Sequence, residues 1–286
     1  RDYLRKTGFS SAIVGLSGGI DSALTACIAA GAIGAENVLG VAMPGPYSSP
    51  GSEADAKDLA DRLGLNYVTI PIAEPFDGFG HAIDAGFEEL ELRQLGEELP
   101  DVTEENLQSR IRGTVLMALS NRTGAILLTT GNKSEVAVGY CTLYGDMNGG
   151  LAVLSDVTKR QVYAVSEWLN DHHEAAGFRS APIPRSTIEK PPSAELAPDQ
   201  KDSDSLPEYD VLDEIIRRTI EEKQSPGTIE RETRFDRATI DRVMRLIQIN
   251  EYKRKQMATG LKVTSVAFGV GRRMPIAQGW RWENGA

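Results

Sequence analysis

Short apolar runs alternate along the chain with longer stretches in which apolar residues recur every three or four positions. The first run, Ala12-Ile13-Val14, leads into Gly15–Leu24 and then an Ala-rich segment, Ala23 to Ala30. That order predicts a strand, a tight glycine turn and a helix. Asn37–Met43 and Tyr67–Ile70 read as further buried strands. Between them Leu59, Ala60 and Leu63 form the inner face of a helix that Ser52 can cap and Gly64 ends. Ile72 to Leu99 reads as helical and acidic. Thr103 is expected to cap a helix with Leu107, Ile111, Val115, Leu116 and Leu119 inward. Ala125–Leu128 is the fourth strand, and Thr129–Glu135 turns into a helix reaching about Val138. Asp156 or Thr158 caps a helix carrying Val162, Val165 and Trp168, and amphipathic helices follow at Tyr209–Glu222 and Thr239–Asn250.

Successive strand–helix–strand units imply an α/β fold with a parallel sheet. In such sheets ligands sit beyond the carboxyl ends of the strands. The expectation is a single domain over 1–286, with a mobile loop at about 179–206 and a helical C-terminal part at 207–286. The loop is rich in Pro, Ser, Asp and Glu, with a short ordered island at Pro192–Leu196.

Composition narrows the function classes. At 286 residues and 41% hydrophobic, the chain can bury a sizeable core. No apolar stretch approaches the ~20 residues needed to span a bilayer. The only cysteines, Cys27 and Cys141, exclude a disulfide framework and suit a reducing cytoplasm. A net charge of −10 argues against nucleic acid as a partner. Within that acidic chain the segment from Glu251 onward is basic, with Lys253, Arg254 and Lys255 at its head. A basic end of this kind can meet an anionic ligand or form a solvated face.

The chemistry concentrates in Gly15-Leu16-Ser17-Gly18-Gly19-Ile20-Asp21-Ser22. Paired glycines let backbone N–H groups approach a ligand, and the following helix adds its positive end, so the loop suits a phosphate. Asp21 adds a carboxylate suited to a Mg²⁺ that phosphate also binds. A Walker loop is excluded because Ile20-Asp21 stand where Lys-Ser/Thr is required. A dinucleotide fingerprint is excluded because Ser22 replaces its third glycine. A second rim, Thr129 to Glu135, offers the Thr130 hydroxyl and the Glu135 carboxylate. Asp21 and Glu135 at adjacent strand ends can hold Mg²⁺ between them. Asn106, Arg110 and Gly113 share one helix face. Gly139–Gly150, punctuated by Tyr140 and Tyr144, suits shape recognition of a nucleotide. Lys159 lies in a helix's first turn, poorly placed for the dipole and better explained by a phosphate.

The Ser-Gly-Gly-x-Asp-Ser loop resembles that of the ATP pyrophosphatases, and the wider set of segments resembles the NAD synthetases. The segments are Gly15–Leu24, Tyr47-Ser48-Ser49, Glu105–Gly113, Thr129–Met147, Lys159–Val162, Lys190–Asp199 and Glu251–Pro275. The resemblance implies a five-stranded, Rossmann-like parallel sheet with helices on both faces, of the adenine nucleotide alpha hydrolase type. It implies ATP-dependent amidation of deamido-NAD to NAD through an acyl-adenylate, with Mg²⁺ as cofactor and ATP as co-substrate. By similarity, Gly15 to Ser22, Thr130, Lys159 and Ser193 would bind ATP. Asn106, Arg110, Glu135, Tyr140, Cys141, Thr142, Leu143 and Lys253 would contact deamido-NAD, while Asp21 and Glu135 would bind the metal. No side chain would serve as nucleophile, because ammonia does. Asn132–Glu135 and Gly260–Trp280 look like the synthetase part of two-domain, glutamine-using members, so an N-terminal glutaminase domain is expected in the full protein. A homodimer is implied, with the Leu107–Leu119 helix in its interface. Competing expectations are another adenylating ATP pyrophosphatase and a nucleotide-binding sensor without chemistry.

Overall fold

The computed structural model describes residues 1–90, 102–198, 200–269 and 271–279. The far end of the helix expected over Ile72–Leu99, and Trp280, lie outside the described residues. The strands are β1 (Ala12–Gly15), β2 (Val38–Ala42), β3 (Asn66–Thr69), β4 (Ile126–Thr129) and β5 (Leu151–Ala152). The helices begin with α1 (Asp2–Thr7), α2 (Ile20–Ile33), α3 (Pro50–Leu63), α4 (Ala73–Leu90) and α5 (Thr103–Thr123). Then come α6 (Lys133–Val138), α7 (Lys159–Asp171), α8 (Arg185–Glu189) and α9 (Tyr209–Ile216). The chain continues through α10 (Pro226–Thr233), α11 (Arg237–Ile249) and α12 (Glu251–Arg254).

The strands form one sheet in the order β3-β2-β1-β4-β5, and each pairing is parallel. β1 is central, with Ala12 beside Val38 on one side and Ile126 on the other. Side chains alternate between faces. Ala12 and Val14 enter a core with α2, α3 and α7, whereas Ile13 enters an opposite core with Val41, Met43, Ile111 and Leu127. Helices therefore cover both faces, which is why β1 reads as continuously apolar. Alanine dominates α2 because it is buried nearly all round. A third core joins α6 to α9, α10 and α11.

The two-residue β5 is too short to show alternation. Gly149 and Gly150 precede it for steric reasons, since a Cβ on Gly150 would lie 2.8 Å from Ile126 Cγ1.

Several local expectations change. Ser49, not Ser52, caps α3, because Pro50 starts the helix earlier and the Ser49 side chain accepts from Ser52 N. Val102 precedes α5 in the cap position expected of Thr103. Thr158 caps α7 in a box with Gln161, while Asp156 accepts hydrogen bonds from the Val263 and Thr264 amides. The Tyr209–Glu222 helix changes to a π turn at Arg217–Glu221. The 179–206 segment carries α8 and a 3₁₀ turn at Asp202–Asp204. Ile183, Thr187, Ile188, Asp202 and Leu206 are buried there, anchors too sparse to register against its polar composition. Among the described residues, no helix is long and apolar enough to cross a membrane.

Candidate active site

The carboxyl ends of β1, β2 and β4 open into a cavity of about 310 Å³. On one side the chain leaves β1 through Gly15–Gly19 and enters α2. Gly18 has φ 75°, and a Cβ there would lie 2.3 Å from Ser52 O, so only glycine fits. The loop is laced by short-range bonds: Ser17 N donates to Ser22 Oγ at 3.3 Å, Gly19 N to Ser17 Oγ at 3.2 Å and Ser22 Oγ to Gly19 O at 2.9 Å.

The facing rim leaves β4 through Thr129–Gly131 into α6. Asn132 and Glu135 form a reciprocal capping box. The Asn132 side chain reaches across to donate to Asp21 Oδ1 at 2.8 Å. Lys159 Nζ lies 2.6 Å from Asp21 Oδ2 and 3.3 Å from Glu135 Oε1, so one ammonium joins the two carboxylates. Burial works against the Lys159 charge, but Asp21 and Glu135 more than offset it and hold its pKa above the ordinary lysine range. Burial, reinforced by repulsion from Asp21, pushes Glu135 above the usual carboxylate range, with Lys159 opposing. The Lys159 ammonium also lies 5.3 Å from the centre of the Tyr209 ring, whose hydroxyl donates to Asp202 Oδ2 at 2.7 Å.

Most of the residues expected to bind ATP reach this cavity. Gly15, Leu16, Ser17, Gly19, Ile20, Asp21 and Ser22 line one side, and Thr130, Glu135, Lys159 and Ser193 line others. Gly18 packs behind them on Ser52. Tyr140 and Cys141 also line the cavity. Asn106, Arg110, Thr142, Leu143 and Lys253 are absent from its lining and instead shape the Gly139–Gly150 loop. Asn106 Oδ1 accepts from Thr142 Oγ1 at 2.9 Å, and Arg110 Nε donates to Leu143 O at 3.2 Å. Lys253 Nζ donates to Gly139 O and Cys141 O, each at 2.7 Å. Of the expected basic face, Arg254 is internal: it is buried and donates to Val136 O at 3.2 Å, among the last carbonyls of α6, whereas Lys255, Lys262 and Arg273 are exposed. Lys159, expected to reach a phosphate, lines the cavity and pairs with Asp21 and Glu135.

Sequence reasoning missed Arg112, Asp146, Glu195 and Asp202, all of which line the cavity. Arg112 Nε donates to Met43 O at 3.0 Å, and burial lowers its pKa to about 10. Partial desolvation at the cavity wall raises the carboxyl of Asp146, an exposed residue, to about 6. Asn132 was readable, since Asn three residues before Glu is a capping-box signal. The others come from distant segments and carry no local signal. Burial pushes the thiols of Cys27 and Cys141 up to about 12, so neither is ionised at neutral pH.

A model of the NAD synthase family matches residues 1–257. The chain is 53% identical over 277 residues to a glutamine-dependent NAD(+) synthetase of Synechocystis sp., covering 97% of this chain and 47% of that one. It is 50% identical over 277 residues to the Thermotoga maritima protein of the same name, covering 96% and 46%. The structure of glutamine-dependent NAD+ synthetase from Acinetobacter baumannii in complex with ADP superimposes with a TM-score of 0.60 at 43% identity, covering 99% of this chain and 48% of that one. The chain thus spans about half the length of the curated relatives it matches. Combined with the paired-glycine rim and the carboxylates facing it, these matches show that the chain belongs to the NAD synthase family.

Proposed function

We propose that the chain carries out ATP-dependent amidation of deamido-NAD to NAD, through an acyl-adenylate, with ammonia as the nitrogen donor. The observation that carries this reading is the meeting of Asp21 and Glu135, from separate rims, on one positive charge beside the glycine loop. An oxygen of the nicotinate carboxylate attacks the α-phosphorus of ATP, and the bond to the β-phosphate breaks with its electron pair leaving on pyrophosphate. The ammonia lone pair then attacks the acyl carbon, the C–O bond to AMP breaks, and the nitrogen sheds a proton. Neither step needs a protein nucleophile, in keeping with the un-ionised thiols. The protein's contribution is positioning and charge neutralisation.

Asp21 and Glu135 offer the hard carboxylate oxygens that Mg²⁺ takes, at a point where both now pair with the Lys159 ammonium. Asp21 and Glu135 would hold Mg²⁺, and bound there it would neutralise phosphate charge. Ser17, Gly19 and Ser22 would turn donors now engaged within the loop toward the phosphates, with Gly18 setting the turn. Thr130, Lys159 and Ser193 complete the ATP subsite. Tyr140 and Cys141 face deamido-NAD, and Asn106, Arg110, Thr142, Leu143 and Lys253 serve it by fixing the loop that presents them.

The matched relatives are named glutamine-dependent, which supports glutamine as the ultimate nitrogen source. A homodimer rests on the family resemblance alone, because Leu107, Ile111, Val115, Leu116 and Leu119, the expected interface face of α5, pack into the core beside β1 and β4. A cytoplasmic setting accords with the two free thiols. Incubating the chain with Mg-ATP, deamido-NAD and ammonium should yield AMP, pyrophosphate and NAD in equal amounts, and none with glutamine as sole nitrogen source. Pyrophosphate release indifferent to deamido-NAD would point to another adenylating enzyme, and tight ATP binding without turnover to a sensor.

A further inference from the structure

The strap at 190–196, between α8 and the 3₁₀ turn, crosses the mouth of the cavity, and its residues line it. Glu195 is unusual within it. Its φ is 49°, in the left-handed region that side-chain-bearing residues other than Asn and Asp seldom adopt. Its carboxylate meets the first turn of α3. Ser49 N donates to Oε2 at 3.1 Å, Ser49 Oγ to Oε1 at 3.1 Å and Ser52 Oγ to Oε1 at 2.6 Å. The positive end of a helix of this length favours that charge. Lys190, at the strap's other end, donates to the same Ser52 Oγ at 2.7 Å.

We propose that Glu195 is a positioning residue. Its carboxylate pins the strap to the N-terminus of α3 and so fixes Ser193 and Lys190 at the mouth of the nucleotide cavity. The contacts run on from it. Glu195 N donates to Ser193 Oγ at 3.1 Å, and Leu196 O accepts from the buried Gln108 Nε2 at 2.9 Å. Ser52 in turn packs under Gly18, whose missing Cβ leaves room for the Ser52 carbonyl. One carboxylate therefore ties the strap, α3 and the glycine loop together. A turn serving the backbone alone would favour glycine at this φ. Glutamate there indicates that the side chain's bonds outweigh the strain.

The positioning role rests on the nucleotide reading, while the pinning itself does not. Hydrogen–deuterium exchange on the full chain, together with direct ATP binding, separates the two. Glu195→Gly relieves the backbone and removes the carboxylate. It should raise exchange in both 48–53 and 193–198 by about tenfold or more, the scale expected for lost bonds to a charged group. Glu195→Gln, which keeps one carbonyl oxygen, should fall between this variant and the wild type. ATP affinity should drop in the same order, while the thermal midpoint falls by only about 2–4 °C. Wild-type exchange in both segments of Glu195→Gly would overturn the pinning. Faster exchange with ATP affinity unchanged would overturn the positioning role. A wild-type chain that fails to bind ATP would instead overturn the nucleotide reading and leave the exchange result standing.

Discussion

The two rims that face each other across the cavity are built by different means. The glycine rim is held by bonds within a few residues, such as Ser17 N to Ser22 Oγ at 3.3 Å and Gly19 N to Ser17 Oγ at 3.2 Å. The carboxylate rim is held from far along the chain. Lys133, which opens α6, is fully buried and pairs with Asp156 at 2.9 Å and Glu221 at 3.0 Å. It also donates to Thr264 Oγ1 at 2.7 Å. Ser134 donates to Asp213, and Asp213 accepts from Arg160 N at 3.0 Å. The glycine turn is thus a local device, whereas the carboxylate rim depends on segments far along the chain.

The comparison breaks most sharply at Lys133. Removing one partner of a buried ion pair leaves the others uncompensated. Lys133→Met should cost about 3–5 kcal/mol in urea unfolding. If the C-terminal helices do not hold this rim, that loss will be small. Gly18→Ala comes next, with left-handed strain of about 1–2 kcal/mol added to a collision with the Ser52 carbonyl. Its expected signature differs: a loss of about 2–3 kcal/mol overall, with ATP binding abolished. Calorimetry with and without nucleotide distinguishes the two variants.

Asp146 gives a smaller, pH-dependent effect. Its carboxyl is raised by partial desolvation from 3.8 to about 6. Between those values the folded chain keeps a proton that the unfolded chain has released, so stability falls as pH rises through that window. Asp146 is exposed to solvent, which screens the effect, so wild type should lose about 1 kcal/mol or less between about pH 4 and 7 that Asp146→Asn does not lose. Parallel slopes in the two proteins would contradict the assignment.

The same contrast explains what the sequence made legible. Strands β1 to β4 and the glycine turn follow from residues adjacent in the chain, and so could be read directly. The Asn132–Glu135 capping box was equally local. Lys159 was noticed only as a cation misplaced in a first turn, and its partners Asp21 and Glu135 lie in other elements. Lys253 and Arg254 read as a basic end for an anionic ligand or a solvated face, because nothing nearby shows that carbonyls of α6 and its following loop await them. Glu195 and Asp202 sit in a polar segment whose few anchors disappear into its composition. The α3 cap was misplaced by three residues because Ser49 and Ser52 both fit the rule and only Pro50 decides between them.

We propose that both rims close on one metal-bound nucleotide. That closure is tested most directly by titrating Mn²⁺ into the chain with an ATP analogue whose α–β bridging oxygen is replaced by methylene, read by electron paramagnetic resonance. The account expects a tight ion shared by both rims, weakened by about tenfold or more in Asp21→Asn and in Glu135→Gln alike. Wild-type Mn²⁺ affinity in either variant would contradict it.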